Sequence, residues 1–318
     1  MRFASMACAA LLAAQALHAQ TYPSRPISIL VTTTPGTGID LLARTIGQKL
    51  IERWGAGVAV ENRPGASGNI ARDAVARAAP DGHTLLMTPT SFITNLAVNR
   101  DVGFDPVKSF APVSLLATGT MALVASRDTP AQSALELVAL AKARPGVLNY
   151  ASAGNGTIQH LAMELFKLEA GIDMTHVPYK SNGPAYNDIV GNRINAMITT
   201  VNTSVPYVQG GKMKLLAVLS AERSPLYPAI PTLGELGFPK LQVYTWYAML
   251  TPAKVPVEIV TRLNGEVNAI LGLAEVRDLL DKQGLVPVGG PAARLADLIR
   301  LELERWPRVV ANAGIKAD

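Results

Sequence analysis

Apolar and polar positions fall in alternating blocks along the chain. The continuous apolar run at 27–31 has the character of a strand buried on both faces. Leu42, Ile46, Leu50 and Trp54 then recur every four residues, which marks one face of a helix. The pattern predicts a strand at 58–61, a helix at 70–79 closed by Pro80-Asp81-Gly82, a strand at 84–88, and two further strands at 113–117 and 121–125. Ser133-Ala134-Leu135-Glu136 is a capping box opening a helix that runs to Arg144, where Pro145-Gly146 stops it. A strand at 148–151 leads through a glycine-rich turn at 152–157 into a helix reaching Ala170, with Gly171 as its stop. Strands follow at 174–177, 196–200 and 215–219. The end is more helical, at 257–271, at 275–283, and in a long segment with Leu295, Ile299, Leu303 and Trp306 on one face, which Pro307 is expected to kink or shorten.

Strands alternating with helices give an α/β fold of parallel sheets covered on both faces. In such sheets a ligand binds beyond the carboxyl ends of the strands. The chain offers that arrangement twice: strand 27–31, turn 32–38, helix; and strand 148–151, turn 152–156, helix. At 318 residues the chain is long enough for two domains, and the spacing suggests one such turn in each.

Composition narrows the partners. The chain is 49% hydrophobic and 17% charged, enough for a sizeable core and too apolar for disorder. Lys and Arg number 29 against 24 Asp and Glu, without a like-charge run, and aromatics are only 5%, so the clustered bases and stacking rings of a nucleic-acid surface are missing. The first nineteen residues read as a secretory signal peptide. Arg2 gives the positive start, 6–17 the short apolar stretch, and Ala19 the residue before cleavage, with Ala16 as the alternative. The sole cysteine, Cys8, lies inside it, and Ser5-Met6-Ala7 fits a lipid-attachment site poorly. The mature chain therefore has no disulfide, thiol nucleophile or Cys-ligated metal, and its location is the periplasm. Cytosolic cofactors are then out of reach, and no cofactor is expected.

The two glycine turns carry the candidate chemistry. A helix start presents unpaired N–H groups and about half a positive charge, an anion site needing no Arg or Lys. Hydroxyls at Thr34, Thr37, Ser152 and Thr157 add donors. Gly36-Thr37-Gly38 is not a dinucleotide fingerprint, because Leu41 stands three positions on, and no Gly-Lys-Ser/Thr loop occurs. Asp40 is either a capping carboxylate or an acceptor for a ligand hydroxyl, amine or water. His83 and His176 read as structural, whereas His160, in the first turn of its helix, is either packed or ligand-facing. No nucleophile–base pair or convergent metal set is visible, so no catalytic or metal-binding residue is assigned.

Several longer motifs stand in order. They are Tyr22-Pro23-Ser24-Arg25-Pro26-Ile27, Pro35-Gly36-Thr37-Gly38-Ile39-Asp40, Val60-Glu61-Asn62-Arg63-Pro64-Gly65-Ala66-Ser67-Gly68-Asn69-Ile70, Ala79-Pro80-Asp81-Gly82-His83-Thr84-Leu85-Leu86, Phe110-Ala111-Pro112-Val113-Ser114, Leu148-Asn149-Tyr150-Ala151-Ser152-Ala153-Gly154-Asn155-Gly156-Thr157, and His176-Val177-Pro178-Tyr179-Lys180. With Pro287-Val288-Gly289-Gly290 and Ala313-Gly314-Ile315-Lys316 they span the mature chain. Together they resemble the periplasmic solute receptors of tripartite tricarboxylate transporters, the Bug family.

The resemblance implies a two-domain periplasmic binding protein of the Venus-flytrap, type II-like kind, each domain a mostly parallel sheet flanked by helices. Domain one would comprise 20–121 plus 246–318 and domain two 122–245, with hinge segments near 117–120 and 242–247. It implies a small organic carboxylate held by the two turns through backbone N–H groups, hydroxyls and waters. Carried onto this chain, the domain-one contacts are Thr33, Thr34, Pro35, Gly36, Thr37, Gly38 and Asp40, with Thr90 and Ser91. The domain-two contacts are Ser152, Ala153, Gly154, Asn155, Gly156, Thr157 and His160, with Thr200, Asn202 and Thr203. Trp246, next to Tyr244 and Thr245, either walls the cleft or packs the hinge. Thr32-Thr33-Thr34 replaces the Pro and aromatic usual in this stretch of the family, which implies a roomier or more polar pocket floor. Ser181-Asn182 and Asn195 also depart from the pattern, so ligand identity transfers least. The implied partners are an organic acid and a membrane permease, without nucleic acid, for a monomer that performs no chemistry. A receptor presenting its closed form to a sensor kinase is the alternative, and a periplasmic hydrolase or isomerase using His160 or Asp40 as base is the reading from a different class.

Overall fold

A computed structural model describes residues 22–99, 101–224 and 227–315. The signal segment, with Cys8 and both cleavage positions, lies outside them. The strands are β1 (Ile27–Val31), β2 (Val58–Asn62), β3 (Thr84–Pro89), β4 (Phe110–Ser126), β5 (Asn149–Ser152), β6 (Thr175–Pro178), β7 (Ala196–Thr200), β8 (Met213–Val218), β9 (Tyr244–Pro252) and β10 (Leu285–Pro287). The helices are α1 (Gly38–Trp54), α2 (Asn69–Ala76), α3 (Ser91–Val98), α4 (Ala134–Ala143), α5 (Ile158–Ala170), α6 (Asn182–Val190), α7 (Val201–Gln209), α8 (Val257–Leu271), α9 (Ala274–Lys282) and α10 (Ala292–Asn312).

The strands form one curled sheet in the order β2-β1-β3-β9-β4-β7-β5-β6, with β8 and β10 pairing β4 off this path. The fold is α/β, and helices cover the sheet as the alternation predicts. The parallel pairings are β1 with β2 and β3, and β5 with β6 and β7. Pairings made by β4 and β9 are antiparallel.

β4 joins the two halves. Sequence predicts separate strands at 113–117 and 121–125, but the chain stays extended through Thr118, Gly119 and Thr120 as a single 17-residue strand. Backbone pairing explains the difference: those three residues lie opposite Trp246, Thr245 and Tyr244 of β9. The first part of β4 pairs β9 and β10, and the part from Met121 onward pairs β7 and β8. Gly119 sits where β4 meets both β9 and β10, and a Cβ there would stand 2.9 Å from Thr245 Cγ2 and 3.0 Å from Leu285 Cδ2.

The helix periodicity translates into packing. Ile39, Leu42, Ala43, Ile46 and Leu50 of α1 are buried with Ile29, Val31 and Leu85 of β1 and β3. Full burial of each large aliphatic side chain is worth about 1.5–3 kcal/mol. α1 ends at Gly55, which adopts φ 67° and donates to the Ile51 carbonyl. On the opposite face Phe92, Phe104 and Phe110 form an aromatic trio. α10 packs on α3, β4 and α5. It runs through Pro307 without shortening, since buried Trp306, Val309 and Val310 hold its last turns against the core. α3 is absent from the sequence expectations, although Phe92, Ile93, Leu96 and Ala97 have helical spacing.

Candidate functional site

Four strand-to-helix junctions collect the candidate residues. β1 feeds α1 through Thr32–Thr37, and β3 feeds α3 through Thr90. β5 feeds α5 through 153–157, and β7 feeds α7 directly at Thr200. Because β1 and β3 are parallel, the starts of α1 and α3 share one edge of the first half of the sheet, and β5 and β7 place those of α5 and α7 alike in the second. Of the residues named from sequence, Trp246 stands on β9 and touches the junctions through its backbone, its N–H donating to Thr90 Oγ1 at 2.7 Å. Its indole is fully buried in the core with Phe92 and Trp306, and the indole N–H has no acceptor among the described residues.

The first turn is braced from within. Gly36 adopts φ 81°, and its N–H donates to Asp40 Oδ2 at 2.8 Å. Arg44 Nε donates to the same oxygen at 3.2 Å, and Asn62 Nδ2 donates to Oδ1 at 2.9 Å and to the Thr33 carbonyl at 3.1 Å. Asp40 is only 2% exposed, so this carboxylate is spent on holding the loop. Burial raises its pKa, but the donors from Gly36, Arg44 and Asn62 outweigh burial and hold it below the usual range. The Thr37 hydroxyl turns to Thr33 Oγ1 and the Thr34 carbonyl instead of capping α1. The first amides of α1 thus have no side-chain cap.

The second turn is built differently. Thr157 Oγ1 accepts from the His160 N–H and donates to the Gly154 carbonyl at 2.8 Å. The Gly156 N–H donates to His160 Nδ1 at 3.2 Å, and the Gly154 N–H to Ser152 Oγ at 3.1 Å. Ser152 Oγ also pairs with His176 Nε2 at 2.7 Å. The imidazoles of His160 and His176 stack on each other, and Tyr150 stacks on His176 at 4.8 Å. Burial pushes His176 down to about 4, aided by His160 and Lys167 and opposed by Glu164. Both imidazoles brace the turn from beneath, and sequence spacing gave no sign of their stacking. In α7, Thr203 Oγ1 bonds Thr200 Oγ1 at 2.8 Å and Tyr186 OH at 2.5 Å.

The two halves meet across these junctions. A Cβ on Gly156 would stand 3.2 Å from Asn95 Nδ2 of α3 and overlap Val98. A Cβ on Gly284, in the turn between α9 and β10, would stand 2.7 Å from Asn202 Cβ. An open groove of about 310 Å³ runs there, lined by Asn202, Val205, Tyr227 and Lys282 among others. Three residues that sequence reasoning missed belong here. Gln283 has both amide atoms buried and without a partner among the described residues, and its Oε1 would stand 3.1 Å from a Cβ on Gly38. The Tyr247 hydroxyl would stand 3.5 Å from the same point. Arg72 of α2 is fully buried below Ser91, and its place on the apolar face with Ala71 and Val75 was the available signal. Among the described residues no three His, Cys, Asp or Glu come together as a metal site, and no helix is long and apolar enough to cross a membrane.

Known proteins share this fold over nearly the whole chain. BugT of Bordetella pertussis (strain Tohama I) is 34% identical over 302 residues, covering 94% of this chain and 93% of its own. A Rhodopseudomonas palustris structure, MatC (Rpa3494) with bound malate, superposes with TM-score 0.83 at 31% identity, covering 91% of this chain and all of the other. Rpa4515 from R. palustris, with adipate, superposes with TM-score 0.86 at 34% identity, covering 93% of this chain and 99% of the other. Residues 42–315 match the model of the tripartite tricarboxylate transporter family receptor, and the chain belongs to that family.

Proposed function

We propose that the protein is a periplasmic solute receptor that binds a small organic carboxylate between two lobes, 20–121 plus 246–318 and 122–245, and delivers it to a membrane permease of the tripartite tricarboxylate type. The observation that carries this reading is the gathering of four helix starts, those of α1, α3, α5 and α7, at the carboxyl ends of parallel strands in the two halves. Each start offers N–H donors and a partial positive charge to an anion. Adipate and malate in the two related structures are dicarboxylates and support that ligand class.

The proposed hinge is the stretch where 117–120 of β4 pairs with 244–247 of β9, so both crossovers move as one two-stranded ribbon. Closure excludes water and strengthens every donor acting on the carboxylate. A ligand favours the closed form only by binding it better than the open form. A thermal-shift screen of residues 20–318 tests the reading, using mono-, di- and tricarboxylates, their amides and neutral controls. A rise in melting temperature with one carboxylate class, lost with the matching amide, is the expected result. Response to neutral compounds alone, or turnover of the bound acid, overturns it.

A further inference from the structure

Arg72 is the one fully buried residue among the Arg and Lys side chains described. It makes no ion pair among the described residues; its acceptors are neutral. Nη1 donates to Asn69 Oδ1 at 2.9 Å, Nε and Nη2 to Thr88 Oγ1 at 3.3 and 3.2 Å, and Nη2 to Ser91 Oγ at 2.8 Å. Phe92 closes one side, its ring centroid 5.7 Å from Cζ. Burial pulls the guanidinium down to about 9, which leaves it charged at neutral pH. A buried charge without a counter-ion is among the costliest arrangements in a folded protein.

Its position is at the candidate site. Thr88 is the next-to-last residue of β3 and Ser91 begins α3, at the edge where α1 also starts. Gly68 has φ 94°, and a Cβ there would stand 3.1 Å from Arg72 Nη2 and 3.0 Å from Thr32 Cβ, so the glycine lets the guanidinium and Thr32 approach. Thr32, 4% exposed, has a buried hydroxyl without a partner among the described residues. The polar chain continues outward: Asn69 Nδ2 donates to Asn95 Oδ1 at 3.1 Å, and Asn95 lies against Gly156 of the second turn. A whole positive charge and an unused hydroxyl thus lie behind the junctions that face the other half.

We propose that Arg72 is the residue that sets the charge requirement of the cleft, its guanidinium supplying the fixed counter-charge to an anionic group of the ligand through Ser91 and beside Thr32. This rests on the carboxylate-receptor reading and names the group that makes charge, beyond shape, a condition of binding. Arg72 is a positioning residue: it polarises the Ser91 hydroxyl toward the ligand and adds the long-range attraction of a full charge to the partial charges of the helix starts.

The test uses Arg72→Met, Arg72→Lys and Ser91→Ala in the mature chain, titrated calorimetrically with succinate, malate and adipate and with their half-amides. Wild type is expected to prefer the diacid that it binds over the half-amide. Arg72→Met should lose that diacid by at least tenfold while the half-amide changes by less than about threefold, and Arg72→Lys should recover most of the preference. Ser91→Ala should reduce the preference in the same direction, and it leaves the buried charge in place should the Met variant fold poorly. Equal loss of acid and amide in Arg72→Met and Ser91→Ala, or an unchanged preference in both, overturns the proposal while the receptor reading stands. Absence of binding of any carboxylate by wild type overturns the receptor reading itself.

Discussion

The imidazoles of His160 and His176 stack with ring centroids 4.0 Å apart and planes 7° from parallel. A proton on His176 is disfavoured first by its burial and then by the neighbouring His160. His176 titrates near 4 in the fold against 6.5 ordinarily, chiefly through burial and then through His160. Between those values the unfolded state binds more protons than the folded one, so stability is complete above about pH 6.5 and declines as the pH falls toward 4. The melting temperature at pH 5 should lie several degrees below that at pH 7, and His176→Asn should flatten the difference. Scanning calorimetry across this range checks it; an identical slope in the variant refutes the assignment to His176.

Gly36 offers a clean way to separate binding from folding. Its φ of 81° is left-handed, yet a Cβ there meets nothing within 4 Å. Gly36→Val should cost about 1–2 kcal/mol of backbone strain and leave the fold intact. Carboxylate binding should fall by at least tenfold, since the loop must leave the conformation that Asp40 holds. Circular dichroism with calorimetric titration reads both quantities.

Asp40→Asn probes that holding role directly. The variant keeps the shape but gives up the charge that receives Gly36, Arg44 and Asn62. A loss of about 1.5–3 kcal/mol in stability is expected, with weakened and not abolished ligand binding. Denaturant unfolding with a parallel affinity measurement distinguishes this from a direct ligand contact, which would lose binding without loss of stability.

Gly119→Val tests the ribbon formed by β4 and β9. The new side chain must displace Thr245 or Leu285. Stability should drop by about 1–3 kcal/mol through overpacking. Small-angle scattering with and without ligand should show a smaller compaction on binding than in the wild type; compaction equal to wild type places the bending elsewhere.

Much of this was legible in the sequence because it depends on local signals. The α1 stripe, the Ser133 capping box and Thr157 with Gly171 around α5 are written in neighbouring residues, and the structure has them in place. The union of 113–117 with 121–125 was hidden, because it depends on pairing with Tyr244, Thr245 and Trp246 more than a hundred residues away. Arg72 and Gln283 were passed over for the same reason. Gln283 reads as an ordinary surface residue until tertiary packing buries its amide, and Arg72 is signalled only by its place on the apolar face of α2, which does not say that its acceptors are neutral.

The shared strand also dictates an order of assembly. β5, β6, β7 and β8 lie within one uninterrupted stretch after β4, so the second half of the sheet has all its strands once the chain has reached Val218. The first half does not. β3 gains its β9 neighbour only when Tyr244–Pro252 are present, and β10 comes later still. A chain released from its amino end therefore carries the edge of β3 uncovered across about 150 residues of synthesis, a long-range closure of the kind that slows folding and invites misplaced strand pairing.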